Sequence, residues 1–306
     1  MIVAAGLTPA LQQILKFERL APGQVNRASE AHLCASGKVL NVGLALHRLG
    51  GPSLTLAVIG GSTGKSIDEE FDALGVEHRW IWTGTRTRMC TTILDREASV
   101  TTELVENAGP VTSEELKEFT RCYTEILPRA RMVVLSGSLP AGVPKTYYRD
   151  LVSAARVPVV LDASGKELLE ALPMKPFCIK PNREEFGRTL GRPLHTSSEL
   201  ASAIKEVHEM GAKHVLVSNG AEALWASGPD GLFEFSPAKV RTVNPIGSGD
   251  CLAAGFAWGV SNGMSVHDAV CLGMAAAAEN ASVLLPARID PQLVRQRSRE
   301  IGVGPA

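Results

Sequence analysis

The sequence predicts an α/β fold built on a mostly parallel central sheet with helices on both faces, and a small β-sheet standing off it. Three observations carry this reading. Short β-branched runs alternate with helical patterns along most of the 306 residues. Those runs are continuously apolar rather than alternating, which suits strands covered on both faces. Two segments, about 12–33 and 83–107, break the alternation with Thr and polar residues, and read together as one small sheet, a lid over the core.

Taken in order, Leu54–Ile59 reads as a strand and Ser66–Leu74 as a helix. Thr91–Asp95 and Ser99–Glu103 read as a lid hairpin with one wet face. Arg131–Leu135, Val157–Leu161, Phe177–Lys180 and His214–Val217 are strands. The segments Lys145–Ala155, Gly165–Leu172, Glu184–Leu190 and Ser197–Met210 are helices between and after them. Val240, Thr242 and Val243 form a further β-branched run, and Cys251–Gly259 is small and apolar enough for a buried helix. The tail after Gln296 reads as a frayed helix.

Bulk properties exclude several functions. Lys+Arg number 31 and Asp+Glu 32, a net charge of −1. That argues against nucleic acid or an anionic membrane as partner. Six scattered cysteines without a Cys-x-x-Cys pair point to a reducing cytosol. The N-terminus lacks the basic region of a signal peptide.

The most informative stretch is Asn244-Pro-Ile-Gly-Ser-Gly-Asp250. Its turn places N–H groups at a helix N-terminus, where the macrodipole favours an anion. A carboxylate there repels phosphate, so Asp250 suggests chemistry: it can take the proton of a hydroxyl attacking a phosphoryl group. The alternative is an ordinary N-terminal cap. Gly60-Gly-Ser-Thr-Gly-Lys-Ser66 mimics a phosphate-binding loop but has one residue too few before Gly-Lys. Lys38 and Asn41 share one face at a helix start, suited to a phosphate and a sugar hydroxyl, or to nothing but solvent. Ser136-Gly-Ser-Leu-Pro140 follows a strand, where parallel sheets bind ligands. Asn182 and Glu185 have the spacing to orient the water shell of Mg²⁺, and equally that of a capping box. Ser218-Asn-Gly-Ala-Glu222 could hold a nucleotide or simply join two strands.

In this order, over about Gly6 to Ser282, these motifs resemble the ribokinase/phosphofructokinase-B family of carbohydrate kinases. Within it the chain looks closest to the 1-phosphofructokinase and tagatose-6-phosphate kinase branch. Gly23-Gln-Val-Asn-Arg27, Gly84-x-x-x-Arg88, Thr102–Glu106 with Gly109-Pro110, and Leu161-Asp-Ala-Ser-Gly165 carry that likeness. The resemblance implies a ribokinase-like three-layer sandwich, residues 1–306 as one kinase domain with the lid inserted, and a homodimer through the lid.

It also implies roles. Asp250 would be the base, with Gly247, Ser248 and Gly249 as its anion hole. Lys180, Asn182, Ser218, Gly220, Glu222, Gly247, Gly249 and Asn280 would line ATP. Asn182 and Glu185 would place Mg²⁺, largely through water, with a monovalent cation as a further candidate. Gln12, Arg27, Gly37, Lys38, Asn41, Arg88, Ser136 and Ser138 would hold the sugar phosphate.

Three departures from the family pattern fall mainly on substrate grip and leave the transfer apparatus intact. Gln12 stands where the branch has Asp, the Gly-Gly-Lys-Gly block reads Ser36-Gly37-Lys38-Val39 with two glycines lost, and the usual nucleotide-loop glycine after Ala-Glu is either Ala223 or deleted. The leading expectation is ATP-dependent phosphorylation of a phosphorylated ketohexose, with fructose 1-phosphate the best single candidate. Tagatose 6-phosphate, fructose 6-phosphate, or an unphosphorylated sugar or nucleoside are alternatives. A catalytically weak sugar-phosphate sensor is the reading of a different class.

Overall fold

Apolar runs become strands buried on both faces because alternate side chains enter two different helix layers. The computed structural model describes residues 1–306. The chain opens with β1 (Ile2–Gly6), then the lid strands β2 (Ala10–Phe17) and β3 (Glu30–Ser36). Next come α1 (Lys38–Leu49), β4 (Ser53–Ile59), α2 (Gly61–Leu74) and β5 (His78–Trp82). The lid resumes with β6 (Arg88–Asp95) and β7 (Val100–Val105), followed by α3 (Ser113–Ile126), β8 (Met132–Ser136) and α4 (Tyr147–Ala154). Then come β9 (Val159–Asp162), α5 (Gly165–Ala171), β10 (Cys178–Ile179), α6 (Arg183–Thr189), α7 (Ser197–Met210) and β11 (His214–Val217). The last third holds β12 (Leu224–Gly228), β13 (Gly231–Ser236), α8 (Ser248–Ser261), α9 (Val266–Ala281), α10 (Pro291–Arg297) and β14 (Gly302–Pro305).

The central sheet runs β14-β13-β12-β11-β10-β9-β8-β1-β4-β5. It is parallel from β11 to β5, and β12 to β14 add an antiparallel edge. Ile2 and Ala4 of β1 face the core that includes α1, α2, α8 and α9. Val3 and Ala5 face the core that includes α3, α4, α5 and α7. The two cores hold 40 and 36 buried residues, so three true layers form and neither helix layer is an appendage.

The lid is a four-stranded sheet in the order β3-β2-β6-β7, with β2 and β6 parallel and both outer pairings antiparallel. Its inner face sets Ile14, Cys34 and Leu94 against Leu284 and Leu285. The outer face is less wet than the composition of the hairpin suggests, because in-register rows place Leu33, Leu15, Ile93 and Leu104 there.

Three expectations need correction. α2 starts at Gly61, five residues before Ser66, so the glycine-rich stretch is mostly helix. Gly60 N–H donates to Thr87 Oγ1 at 3.0 Å and its carbonyl accepts from Thr87 N–H at 2.8 Å, which seals that turn to the lid hinge. The Val240–Val243 run is loop, because the N–H groups of Val243 and Asn244 both go to the Ala281 carbonyl rather than to a strand. The tail is not a frayed helix: beyond α10 it pairs with β13, Val303 opposite Phe235, and closes the edge of the sheet.

Candidate active site

Parallel strands bring their carboxyl ends to one rim, and the order β11-β10-β9-β8 makes four of those ends neighbours. Ser136 ends β8 and Asp162 ends β9, and they are register partners. Lys180 follows β10, and Asn182 beyond it forms a single bridge to Ser218, which follows β11. Gly37 lets α1 start at the same rim. Its φ is +84°, and a Cβ there would lie 2.8 Å from Ala10 N.

The α8 N-terminus faces this rim. Asn244 shapes its approach: its Nδ2 donates to the Leu284 carbonyl at 2.9 Å and its Oδ1 accepts from Ile246 N–H at 3.1 Å. Gly247 takes a left-handed φ of +85°, with Asn41 Nδ2 3.1 Å from where a Cβ would stand. The N–H groups of Gly247, Gly249 and Asp250 have no acceptor in the protein. Ser248 N–H is instead turned to the Pro245 carbonyl at 3.2 Å, so the free donor set is Gly247, Gly249 and Asp250 rather than the expected three. Asn280 lies fully buried beneath the turn. Its Nδ2 donates to the Ile246 carbonyl (2.9 Å) and Ser248 Oγ (3.0 Å), and its Oδ1 accepts from Ala287 N–H (2.7 Å).

Asp250 stands in the first turn of α8, 7% exposed. Asn41 Nδ2 donates to its Oδ2 at 2.7 Å, and Ser36 Oγ donates to Asn41 Oδ1 at 3.1 Å. Burial first, and then the Asp162 charge, push the Asp250 carboxyl up to about 7, against the opposing pull of Lys38 and Asn41. A carboxyl tuned there can accept a proton near neutrality.

Asp162, which lies within the Leu161–Gly165 stretch of the family likeness but takes no role from it, is the hub. Lys38 Nζ lies 3.1 Å and Lys180 Nζ 3.4 Å from its Oδ1, and Ser136 Oγ donates to its Oδ2 at 3.4 Å. Burial works against its charge, yet Lys180 and Lys38 hold its carboxyl below the usual range. Burial would likewise lower the Lys38 ammonium, but Asp162, Glu185 and Asp250 raise it above its ordinary value. Lys180 also runs beside the anion turn, its Nζ 3.4 Å from where a Gly249 Cβ would stand. The signal was present in the sequence, an Asp at the carboxyl end of a strand, but nothing in the string pairs it with two lysines.

Asn182 and Glu185 form the capping box: Glu185 N–H donates to Asn182 Oδ1 at 2.7 Å and Asn182 N–H to Glu185 Oε2 at 3.1 Å. The other Glu185 oxygen, Oε1, faces Lys38 Nζ at 3.4 Å. A carboxylate with one oxygen turned to the rim fits a hydrated cation and does not exclude the cap. Ser218, Gly220 and Glu222 form the β11–β12 turn. The Ser218 carbonyl accepts from Arg183 N–H at 2.8 Å, and Glu222 N–H closes the turn on the Asn219 carbonyl at 2.9 Å.

The lid residues stand apart from this network. Gln12 is buried, its Nε2 donating to Thr92 Oγ1 at 2.7 Å within the lid. Arg88 is not a free fork: Nε, Nη1 and Nη2 donate to the carbonyls of Pro9 (3.3 Å), Glu106 (3.2 Å) and Thr8 (3.1 Å). Thr8 Oγ1 in turn donates to the Ser138 carbonyl at 3.2 Å, which links lid and rim. Ser138 is otherwise exposed, and Arg27 projects exposed from the β2–β3 loop. Val39 does not intrude on the site, because its side chain is buried in the core.

The model of the pfkB family of carbohydrate kinases matches residues 1–288. Among solved structures, a possible 1-phosphofructokinase from Thermotoga maritima superposes with a TM-score of 0.91 at 24% identity, covering 100% of both chains. The Escherichia coli phosphofructokinase-2 in complex with potassium gives 0.89 at 22%, over 98% of this chain and 99% of that one. The Arabidopsis thaliana ribokinase complexed with ribose and ATP gives 0.76 at 22%, over 97% and 98%. These likenesses show a ribokinase-like fold. With Asp250 and the free N–H groups set at the rim of that fold, and the family match spanning nearly all of it, the chain belongs to the pfkB family and is an ATP-dependent carbohydrate kinase.

Proposed function

We propose that the chain transfers the terminal phosphoryl group of ATP to a hydroxyl of a phosphorylated ketohexose, with fructose 1-phosphate as the leading substrate. The observation that carries the transfer step is Asp250, held near neutral pKa beside three unpaired N–H groups. The acceptor hydroxyl gives its proton to Asp250 as its oxygen attacks. The N–H groups of Gly247, Gly249 and Asp250 and the α8 dipole receive the charge of the phosphoryl oxygens. Lys180, beside Gly249, adds a buried cation there, and Asn41 holds the base in place.

Asn182 and Glu185 would hold Mg²⁺ through water: capping takes Asn182 Oδ1 and Glu185 Oε2, and leaves Glu185 Oε1, shared with Lys38 Nζ at 3.4 Å, turned to the rim. When bound, Mg²⁺ supplies charge neutralisation between nucleotide phosphates. Ser218, Gly220 and Glu222 would border the nucleotide. A monovalent cation is a further candidate, in line with the potassium of the E. coli neighbour.

The phosphosugar reading is supported by the cations of the lid side, the uncommitted Arg27 and the two N–H groups that Arg88 retains. A second reading, a kinase of an unphosphorylated sugar, is favoured by Arg88 spending three donors on carbonyls. ADP release over a panel of free and phosphorylated sugars separates them. Turnover confined to unphosphorylated sugars overturns the first reading.

The chain would pair with a second copy through the outer lid face, where Leu33 and Leu104 are 60% and 54% exposed. The E. coli neighbour is described as tetrameric in its inhibited form. A Leu33→Asp/Leu104→Asp variant should elute as a monomer. An unchanged elution volume counts against this face.

A further inference from the structure

Far from the catalytic rim, at the amino end of the edge strand β5, three metal-ligating side chains converge. Asp68 and Asp72 lie one turn apart on α2 and face His78, the first residue of β5. His78 Nε2 is 3.3 Å from Asp68 Oδ1 and 3.7 Å from Asp72 Oδ1. We propose that Asp68, Asp72 and His78 form a structural site for one divalent transition-metal ion, which ties α2 to the edge of the sheet.

The orientation of the His78 ring suits a ligand. Its Nδ1 lies 2.8 Å from the Val76 carbonyl. A carbonyl only accepts, so Nδ1 carries a proton, and Nε2 is the ring nitrogen that faces the two carboxylates. One imidazole nitrogen and two carboxylates thus come together within 4.8 Å, an arrangement that a positive charge among them would stabilise. A proton on Nε2 leaves the cluster one negative charge in excess, whereas a divalent ion balances both carboxylates.

The distances suit that ion. Bonds of about 2.0–2.2 Å in tetrahedral geometry separate ligand atoms by roughly 3.4 Å. The observed 3.3 and 3.7 Å need little adjustment, and all three ligand atoms lie within 4.8 Å of one another.

The surroundings are those of a built site. Trp80 Nε1 donates to Asp68 Oδ1 at 2.7 Å, and its ring stacks on His78 at 4.6 Å between centroids. Phe71 meets the His78 ring edge-on at 5.9 Å. Such outer groups fix the orientation of a ligand before the metal arrives. His78 is 17% exposed, Asp68 32% and Asp72 72%, so an ion can enter and water can complete its shell. An imidazole in the set favours Zn²⁺, Co²⁺ or Ni²⁺ over Mg²⁺ and Ca²⁺, which take oxygen ligands.

The test is titration of the full chain with Co²⁺, without nucleotide, followed by visible absorption and competed with Zn²⁺. One equivalent should give the intense band of four-coordinate Co²⁺, and one equivalent of Zn²⁺ should abolish it and raise Tm. Asp72→Asn, a surface substitution, and His78→Gln should lose both responses, with kinase turnover of Asp72→Asn unchanged. Trp80→Phe should retain the site with affinity weakened roughly 10–100-fold. Glu185→Gln should titrate like wild type, which separates this site from the catalytic one. No band in wild type, or one that persists in Asp72→Asn and His78→Gln, overturns the proposal. His78 is then an imidazolium in an ion pair, and any Co²⁺ bound sits elsewhere, such as on a cysteine.

Discussion

Asn41 and Asp250, 209 residues apart in the chain, meet through a 2.7 Å hydrogen bond from Nδ2 to Oδ2. Ser36 Oγ donates to the opposite end of the same amide, and an exchange of the Asn41 oxygen and nitrogen would set an acceptor against the ionised Asp250 carboxylate. The start of α1 thus fixes Asp250, the proposed base, at the start of α8, and the bond stabilises its ionised form against its burial.

Asp250→Asn should retain the fold and ATP binding while turnover falls by roughly two to four orders of magnitude. Single-turnover kinetics with isothermal nucleotide binding would check this. A variant that keeps more than half of its activity removes Asp250 from the chemistry.

The same substitution has a stability signature. The folded-state pKa of Asp250, about 7, lies above its ordinary 3.8, so the folded chain binds the extra proton between those values. Its contribution is present below 3.8 and is lost as pH rises through about 7. Asp250→Asn should therefore be more stable than wild type at pH 8, by an amount that shrinks toward pH 4. Urea denaturation at both pH values reads this. An advantage that grows toward acid would mean that Asp250 is not held at a raised pKa.

Activity should follow the same ionisation. In wild type, kcat/KM should rise with pH through the region around 7 as Asp250 loses its proton. Asn41→Leu removes a donor to the carboxylate, so that limb should move to higher pH. A limb that stays in place would assign it to another group.

Asp162→Asn removes the counter-charge of Lys180, which is 3% exposed, and of Lys38. Leaving a buried ammonium unpaired should cost about 3–5 kcal/mol. Chemical denaturation gives this directly. A loss below about 1 kcal/mol would show that Lys180 finds solvent or another partner.

Glu185→Gln should shift the Mg²⁺ dependence of turnover to higher concentration, since the amide can still accept the Asn182 N–H and keep the cap. Mg²⁺ titrations that superpose on wild type would leave Glu185 with its capping role alone.

Much of this protein was legible in the string. The strands β4, β8, β9 and β11 and the helix α7 follow from apolar runs and helical periodicity, because both are local patterns that burial on one or two faces imposes. The Gly-Ser-Gly-Asp turn, the Asn182–Glu185 spacing and the order of motifs were equally visible, since each is held by its own few residues. The tertiary structure decided what depends on distant partners. It paired Asp162 with Lys38 and Lys180, spent Arg88 on carbonyls of two loops, set Asn280 as a buttress beneath the Gly247 turn, and drew the tail into the sheet as β14. A side chain's charge and reach are set by its own chemistry. Which group it meets is set by the packing of segments that the sequence keeps far apart.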